Sequence, residues 1–123
     1  MSSRAANAYQ RVHLESASPA RILDEVLVKA VRRVHEAREL IQAGDVAGKA
    51  RAVGQALELV VMLAGALDRT AAPELCVNLA GLYAFGQRSL IEASARMDTA
   101  PLDEVERILT TLQAAFREAA VAA

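Results

Sequence analysis

Four stretches of this chain repeat their apolar residues at the helical period, and short breakers carrying Gly, Asp or Pro separate them. A helix turns about 100° per residue, so apolar side chains three and four apart share a face while charges fall opposite. Ser18-Pro19 reads as an N-cap followed by proline in the first turn. The spacing predicts a helix from there to Ala43, stopped by Gly44, with Asp45 capping the next. Its inner face is Ile22, Leu23, Val26, Leu27, Ala30, Val31, Val34, Ala37, Leu40 and Ile41; Asp24, Glu25, Arg32, Glu36 and Glu39 lie opposite. A second helix is expected from Val46 to Leu67, with Val46, Ala50, Val53, Leu57, Val60, Val61 and Ala64 inward. A third runs from Pro73 to Met97 on Leu75, Leu79, Leu82, Tyr83, Leu90, Ala93 and Met97. The fourth opens near Pro101 on Leu102, Val105, Ile108, Leu109, Leu112, Ala115 and Phe116. Connections this short make successive helices antiparallel. The fold class is therefore all-α: an antiparallel up-and-down four-helix bundle, one domain over 1–123, with residues 1–17 as an N-terminal arm or short helix.

Composition agrees with the pattern. Of 123 residues 54% are hydrophobic yet only 3% aromatic, with no Trp, so the core must be built from Ala, Leu and Val. Those residues, with Glu and Arg, favour helix apart from Val. Fourteen Lys and Arg face 15 Asp and Glu, for a net charge of −1, which offers no clustered basic footprint for nucleic acid. The uncharged stretch Leu75–Gln87 is shorter than the roughly 20 residues a membrane span requires, and no apolar leader opens the chain. Cytoplasmic placement is the expectation, without nucleic acid or membrane insertion. A single cysteine, Cys76, permits no internal disulfide and reads as a buried thiol.

Catalytic and metal chemistry find no constellation. A ferritin-like site needs Glu-x-x-His, but Gln10 precedes His13 and Arg32 precedes His35 by three. A phosphotransfer bundle working through His35 is an alternative of the right size, yet Glu36 and Glu39 stand where a phosphoryl group would gather negative charge. Cys76 and Ser89 have no base within helical reach. Gly44, Gly48, Gly54, Gly65, Gly81 and Gly86 make no phosphate-cradling loop, and Gly65 and Gly86 are expected to allow close helix approach. No cofactor and no enzymatic role are expected.

Apolar surface, by contrast, is in excess. Between Leu57 and Leu67 the only charge is Glu58, and Leu59, Met62, Leu63 and Ala66 fall off the core stripe. On the third helix Val77, Ala80, Ala84 and Ile91 form a second stripe opposite the first. Either these helices touch more neighbours, or the protein forms a homodimer as a structural module, or a groove here takes an apolar helix or peptide. The residues expected to bind such a segment are Tyr9, Leu59, Met62, Leu63, Val77, Ala80, Ala84 and Ile91.

Asn7-Ala8-Tyr9-Gln10 with Ser16-Ala17-Ser18-Pro19 resembles the N-terminal arm and helix start of the FliS flagellar export chaperone family. Asn78-Leu79-x-x-Leu82-Tyr83-x-Phe85, Leu90-Ile91-Glu92-Ala93 and Asp98 resemble its third helix. Leu102-x-x-Val105-x-x-Ile108-Leu109-x-x-Leu112-x-x-Ala115-Phe116 resembles its fourth, with Phe116 where Trp is common. The similarity runs in order from Asn7 to Glu118. It implies a cytoplasmic chaperone that binds the disordered C-terminal segment of flagellin or a flagellin-like protein, blocks premature polymerisation and presents the client to the type III export gate. One departure stands out: Val26-Leu27-Val28-Lys29-Ala30 replaces the family's usual Leu-Tyr-Asp-Gly-Ala, which alters the binding surface expected there.

Overall fold

In the computed structural model the described residues are Ala8 and 19–122, with side chains described at Ala8 and 21–118. Four helices follow in order: α1 Pro19–Gln42, α2 Val46–Gly65, α3 Pro73–Arg96 and α4 Ala100–Ala122. Their boundaries follow from backbone chemistry. Gly44 adopts φ +72°, its N–H bonds the Ile41 carbonyl at 3.0 Å, and the Asp45 N–H bonds that of Leu40 at 2.9 Å. This double closure satisfies the last carbonyls of α1 and needs a left-handed residue, which glycine adopts freely. Asp45 then caps α2, its Oδ1 accepting the Gly48 N–H at 2.9 Å. Met97 closes α3 in the same way at φ 52°, with Asp98 N–H to Ala93 O at 3.1 Å. It does so without glycine, at a steric cost of about 1 kcal/mol.

α1 packs against α2 and α4, and α3 against the same two, so the helices sit at the corners of a four-membered bundle. Arg38 reaches Asp103 at 2.8 Å and Arg117 reaches Asp24 at 2.9 Å. These contacts are fourteen residues apart on each helix and run in opposite directions, which makes α1 and α4 antiparallel. Between α2 and α3 the Lys49 Nζ donates to the Ser94 carbonyl at 3.0 Å. The start of α2 therefore lies beside the end of α3.

The core joins Leu23, Leu27, Val34 and Ile41 of α1 to Leu102, Val105, Leu109, Leu112 and Phe116 of α4, with Leu79, Tyr83 and Leu90 of α3. α1 and α4 bury the stripes their sequences predict. α2 does not. Its buried residues are Gly48, Lys49, Ala52, Val53, Ala56, Val60 and Leu63, so the helix is rotated from the expected phase by nearly one residue. Val46 and Val61 face solvent and Leu63 is only 1% exposed. On α3, Leu82 is exposed and Cys76, Gly86 and Ser89 lie inside. The expectation for Gly65 and Gly86 also fails, because a Cβ at either would meet nothing within 4 Å. Gly48 is the constrained glycine: a Cβ there would lie 2.7 Å from the capping Asp45 carboxylate and 3.0 Å from Leu40 Cδ2.

Ala8 is fully buried, and its carbonyl accepts the Asp68 N–H at 2.6 Å in the loop between α2 and α3. No helix among the described residues is long and apolar enough to cross a membrane.

Candidate functional site

Among the described residues every strongly exposed large hydrophobic side chain lies on α2 or α3: Val46, Val61, Met62, Val77, Leu82, Phe85 and Ile91. Polar outer faces explain why α1 and α4 contribute none. Two contacts in the first turn of α2 show which way each of its flanks turns. Gly48 abuts Leu40 of α1, and Lys49 reaches Ser94 of α3. At about 100° per residue, Leu59 and Met62 fall on the α1 flank, whereas Leu57, Val61 and Ala64 fall on the α3 flank.

The outward line of α3 is Val77, Gly81, Ala84, Arg88, Ile91 and Ala95, at alternating steps of four and three. Val77 is 63% and Ile91 55% exposed; Gly81 and Arg88 are exposed and Ala80 and Ala84 half-buried. Because Ser94 marks the α2 side of this helix, Ala80, Ala84 and Ile91 lie toward α2, Ala80 and Ala84 level with Val61 and Ile91 farther along, level with Ala52. Phe85 and Leu82 lie toward α4. The result is one apolar patch across the α2–α3 seam, with a second pair on its far edge.

The expected client-binding residues therefore divide. Val77, Ala80, Ala84 and Ile91 share this patch. Met62 is exposed and Leu59 half-buried, but on the other flank of α2. Leu63 is withdrawn from the surface because it is packed in the core, and Tyr9 lies outside the described residues. Val61, Leu82 and Phe85 join the surface in their place. Their signal was present in the polar residues: Arg51, Gln55 and Glu58 mark the outer side of α2 and so point Val53, Ala56 and Val60 inward.

Elsewhere the bundle carries a polar cluster between α1 and α4. The His35 Nε2 sits 3.0 Å from Glu106 Oε1, which also receives Arg38 at 3.2 Å. Glu36 pairs with Arg33. A phosphoryl group approaching His35 would meet the Glu106 carboxylate first, so the geometry opposes a phosphotransfer role. The bond with Asp103 chiefly, helped by Glu106, raises the Arg38 guanidinium above its ordinary pKa against the opposing effect of burial. Among the described residues no group of His, Cys, Asp or Glu could hold a metal ion. Cys76 is buried, its Sγ donating to the Asp68 carbonyl at 3.3 Å.

The whole chain, residues 1–123, matches the family model described as flagellar protein FliS. It is 30% identical over 116 residues to the flagellar secretion chaperone FliS of Salmonella typhimurium, a match spanning 90% of this chain and 86% of the relative. It is 26% identical to the flagellar secretion chaperone FliS of Vibrio cholerae over 89% of this chain and 83% of the relative. Identity to the flagellar secretion chaperone FliSB of Pseudomonas aeruginosa is 29%, over 92% of this chain and 93% of the relative. With an up-and-down four-helix bundle among the described residues and a family match along its full length, this chain belongs to the FliS family.

Proposed function

We propose that the protein is a cytoplasmic secretion chaperone acting by binding rather than catalysis, whose client is the disordered C-terminal segment of flagellin or a flagellin-like protein. The observation that carries this reading is the patch of Val61, Val77, Ala80, Ala84 and Ile91 on the α2–α3 seam, left in water by a bundle whose α1 and α4 outer faces are polar among the described residues. An amphipathic segment that folds on this surface gains the apolar burial that it lacks alone, offset by the entropy of ordering it. Release then requires no covalent step, and the bound client is kept from polymerising until it reaches the export gate. The relatives' shared description as flagellar secretion chaperones points the same way.

The departure in α1 bears on the extent of this surface. In Val26-Leu27-Val28-Lys29-Ala30 the core takes Leu27 and Ala30, Val26 and Val28 are half-buried, and Lys29 is exposed. Outside the bundle the change is therefore felt as one cation at Lys29, remote in sequence from the α2–α3 patch. Titrating the protein into a labelled flagellin C-terminal segment tests the reading. Saturable binding with a gain of client helicity is expected, and no binding of any flagellin-type segment would remove the proposal.

A further inference from the structure

We propose that the bound segment lies along the α2–α3 seam in one direction only, as a helix whose C-terminal end rests between Arg51 and Arg88; this rests on the chaperone reading. The apolar lane from Val77 to Ile91 spans fourteen residues of α3, about 21 Å at 1.5 Å per residue, and takes about four turns of helix. Apolar burial is non-directional, so the floor of the lane accepts a helix either way round. The macrodipoles beneath it carry no preference either. Lys49 at the start of α2 bonds Ser94 near the end of α3, so the two helices are antiparallel and their end charges cancel. Direction is left to the side-chain charges on the outer sides of the two helices.

Those charges are unevenly placed. Away from the Lys49–Ser94 contact, each step along α2 is matched by one step back along α3. Arg51 therefore comes level with Glu92, beside Ile91, and Glu58 comes level with Phe85, near the middle of the lane. Arg88 stands one turn from Ile91 on α3 itself. Arg51, Arg88 and Glu58 are all exposed, and none joins an ion pair among the described residues. The anions nearest the two arginines are already engaged. Glu92 is held by Arg96 at 3.0 Å, Asp45 accepts the Gly48 N–H and Asp98 accepts that of Ala100. Toward the Val77 end, Glu74 and Arg69 are both exposed and offset one another in sign.

Two uncompensated guanidinium groups thus mark the Ile91 end of the lane. A helix of any sequence carries about half a negative charge at its C-terminus and half a positive charge at its N-terminus. Its last carbonyls, which lack intrahelical donors, can accept from the guanidinium N–H groups. The reversed placement sets the positive end against two cations. The segment therefore runs parallel to α3, and the remainder of the client leaves the bundle beside the α2–α3 loop.

Energy transfer within the complex reads this direction, using the full chain and the shortest flagellin C-terminal segment that retains binding. The acceptor goes on Ala47→Cys, an exposed position in the first turn of α2, since the native Cys76 is buried. A donor at the C-terminal end of the segment should transfer more strongly than one at its N-terminal end. Titration at low ionic strength tests the cause, with circular dichroism confirming that each variant is folded. Arg51→Glu combined with Arg88→Glu should weaken binding by about tenfold. Arg69→Glu, the same kind of charge change at the other end, should not weaken it. Equal transfer from both ends, stronger transfer from the N-terminal donor, or affinity indifferent to the Arg51 and Arg88 changes overturns the inference and leaves the chaperone reading standing. A wild type that binds no flagellin segment removes both.

Discussion

The backbone N–H of Asp68 donates to the carbonyl of Ala8 at 2.6 Å, joining the segment before α1 to the loop between α2 and α3. Asp68 is a buried hub in that loop. Its Oδ1 accepts from the Thr70 N–H at 3.1 Å and hydroxyl at 2.6 Å, and its carbonyl accepts from Cys76 Sγ at 3.3 Å. A buried carboxylate oxygen that accepts two hydrogen bonds cannot be removed without leaving those donors to find other partners.

Asp68→Ala should therefore lower stability by about 1–3 kcal/mol, read by urea denaturation. Asp68→Asn keeps an acceptor at the same place and should lose less. Equal losses in the two variants would show that the hydrogen bonds from Thr70 contribute little.

Removing residues 1–15 should leave the helical dichroism of the bundle in place, because α1 to α4 bury one another. The loss of the buried Ala8 and its bond to Asp68 should lower stability by about 1–2 kcal/mol. A truncated chain that does not fold would make the arm part of the core.

Gly44→Ala tests the α1–α2 closure. The position sits at φ +72° with open space around it, so the added methyl meets no neighbour and the cost is backbone strain alone. A loss of about 1 kcal/mol is expected.

Much of this architecture was legible in the sequence, for reasons visible at particular residues. Pro19, Gly44-Asp45, Pro73 and Pro101 punctuate the chain where the backbone must turn, so the four helices are found within a residue or two. α1 and α4 carry charges along the whole side opposite their apolar stripe, which fixes their phase. α2 lacks that help over its second half. The large residues Val61 and Leu57 suggest one inner face, whereas the bundle fills it with Ala52, Ala56 and the stem of Lys49, where α2 meets α1 at Gly48 and α3 at Lys49. The same rotation turns Leu63 inward. For the candidate site, Val77 and Ile91 were legible because they stand opposite Leu79 and Leu90, which are strongly committed to the core. Leu82 and Phe85 were not, since they lie on a flank whose burial depends on how closely α4 approaches.

The Arg38 cluster should respond to salt more than to pH. Its pKa is raised in the fold, mainly by Asp103, so the stabilisation tied to Arg38 ionisation is full below the unfolded value. It is lost only as pH rises through the still higher folded value, in strong alkali. Arg38→Ala should lower stability by about 1 kcal/mol at low ionic strength and by less in high salt. An unchanged loss in high salt would point to packing of the Arg38 stem instead.

The central claim is that the apolar patch on the α2–α3 seam binds client while Leu63 beside it holds the fold. Fluorescence titration of a labelled flagellin C-terminal segment against Ile91→Glu, paired with a thermal melt, addresses it most directly. Ile91 is 55% exposed, so the substitution should move stability by no more than about 0.5 kcal/mol. It should nevertheless weaken binding at least about tenfold by placing a carboxylate against an apolar helix. Leu63→Ala provides the contrast, with a loss of about 2–5 kcal/mol from a cavity in the core. An Ile91→Glu protein that melts like the wild type and binds the segment with undiminished affinity would contradict the account.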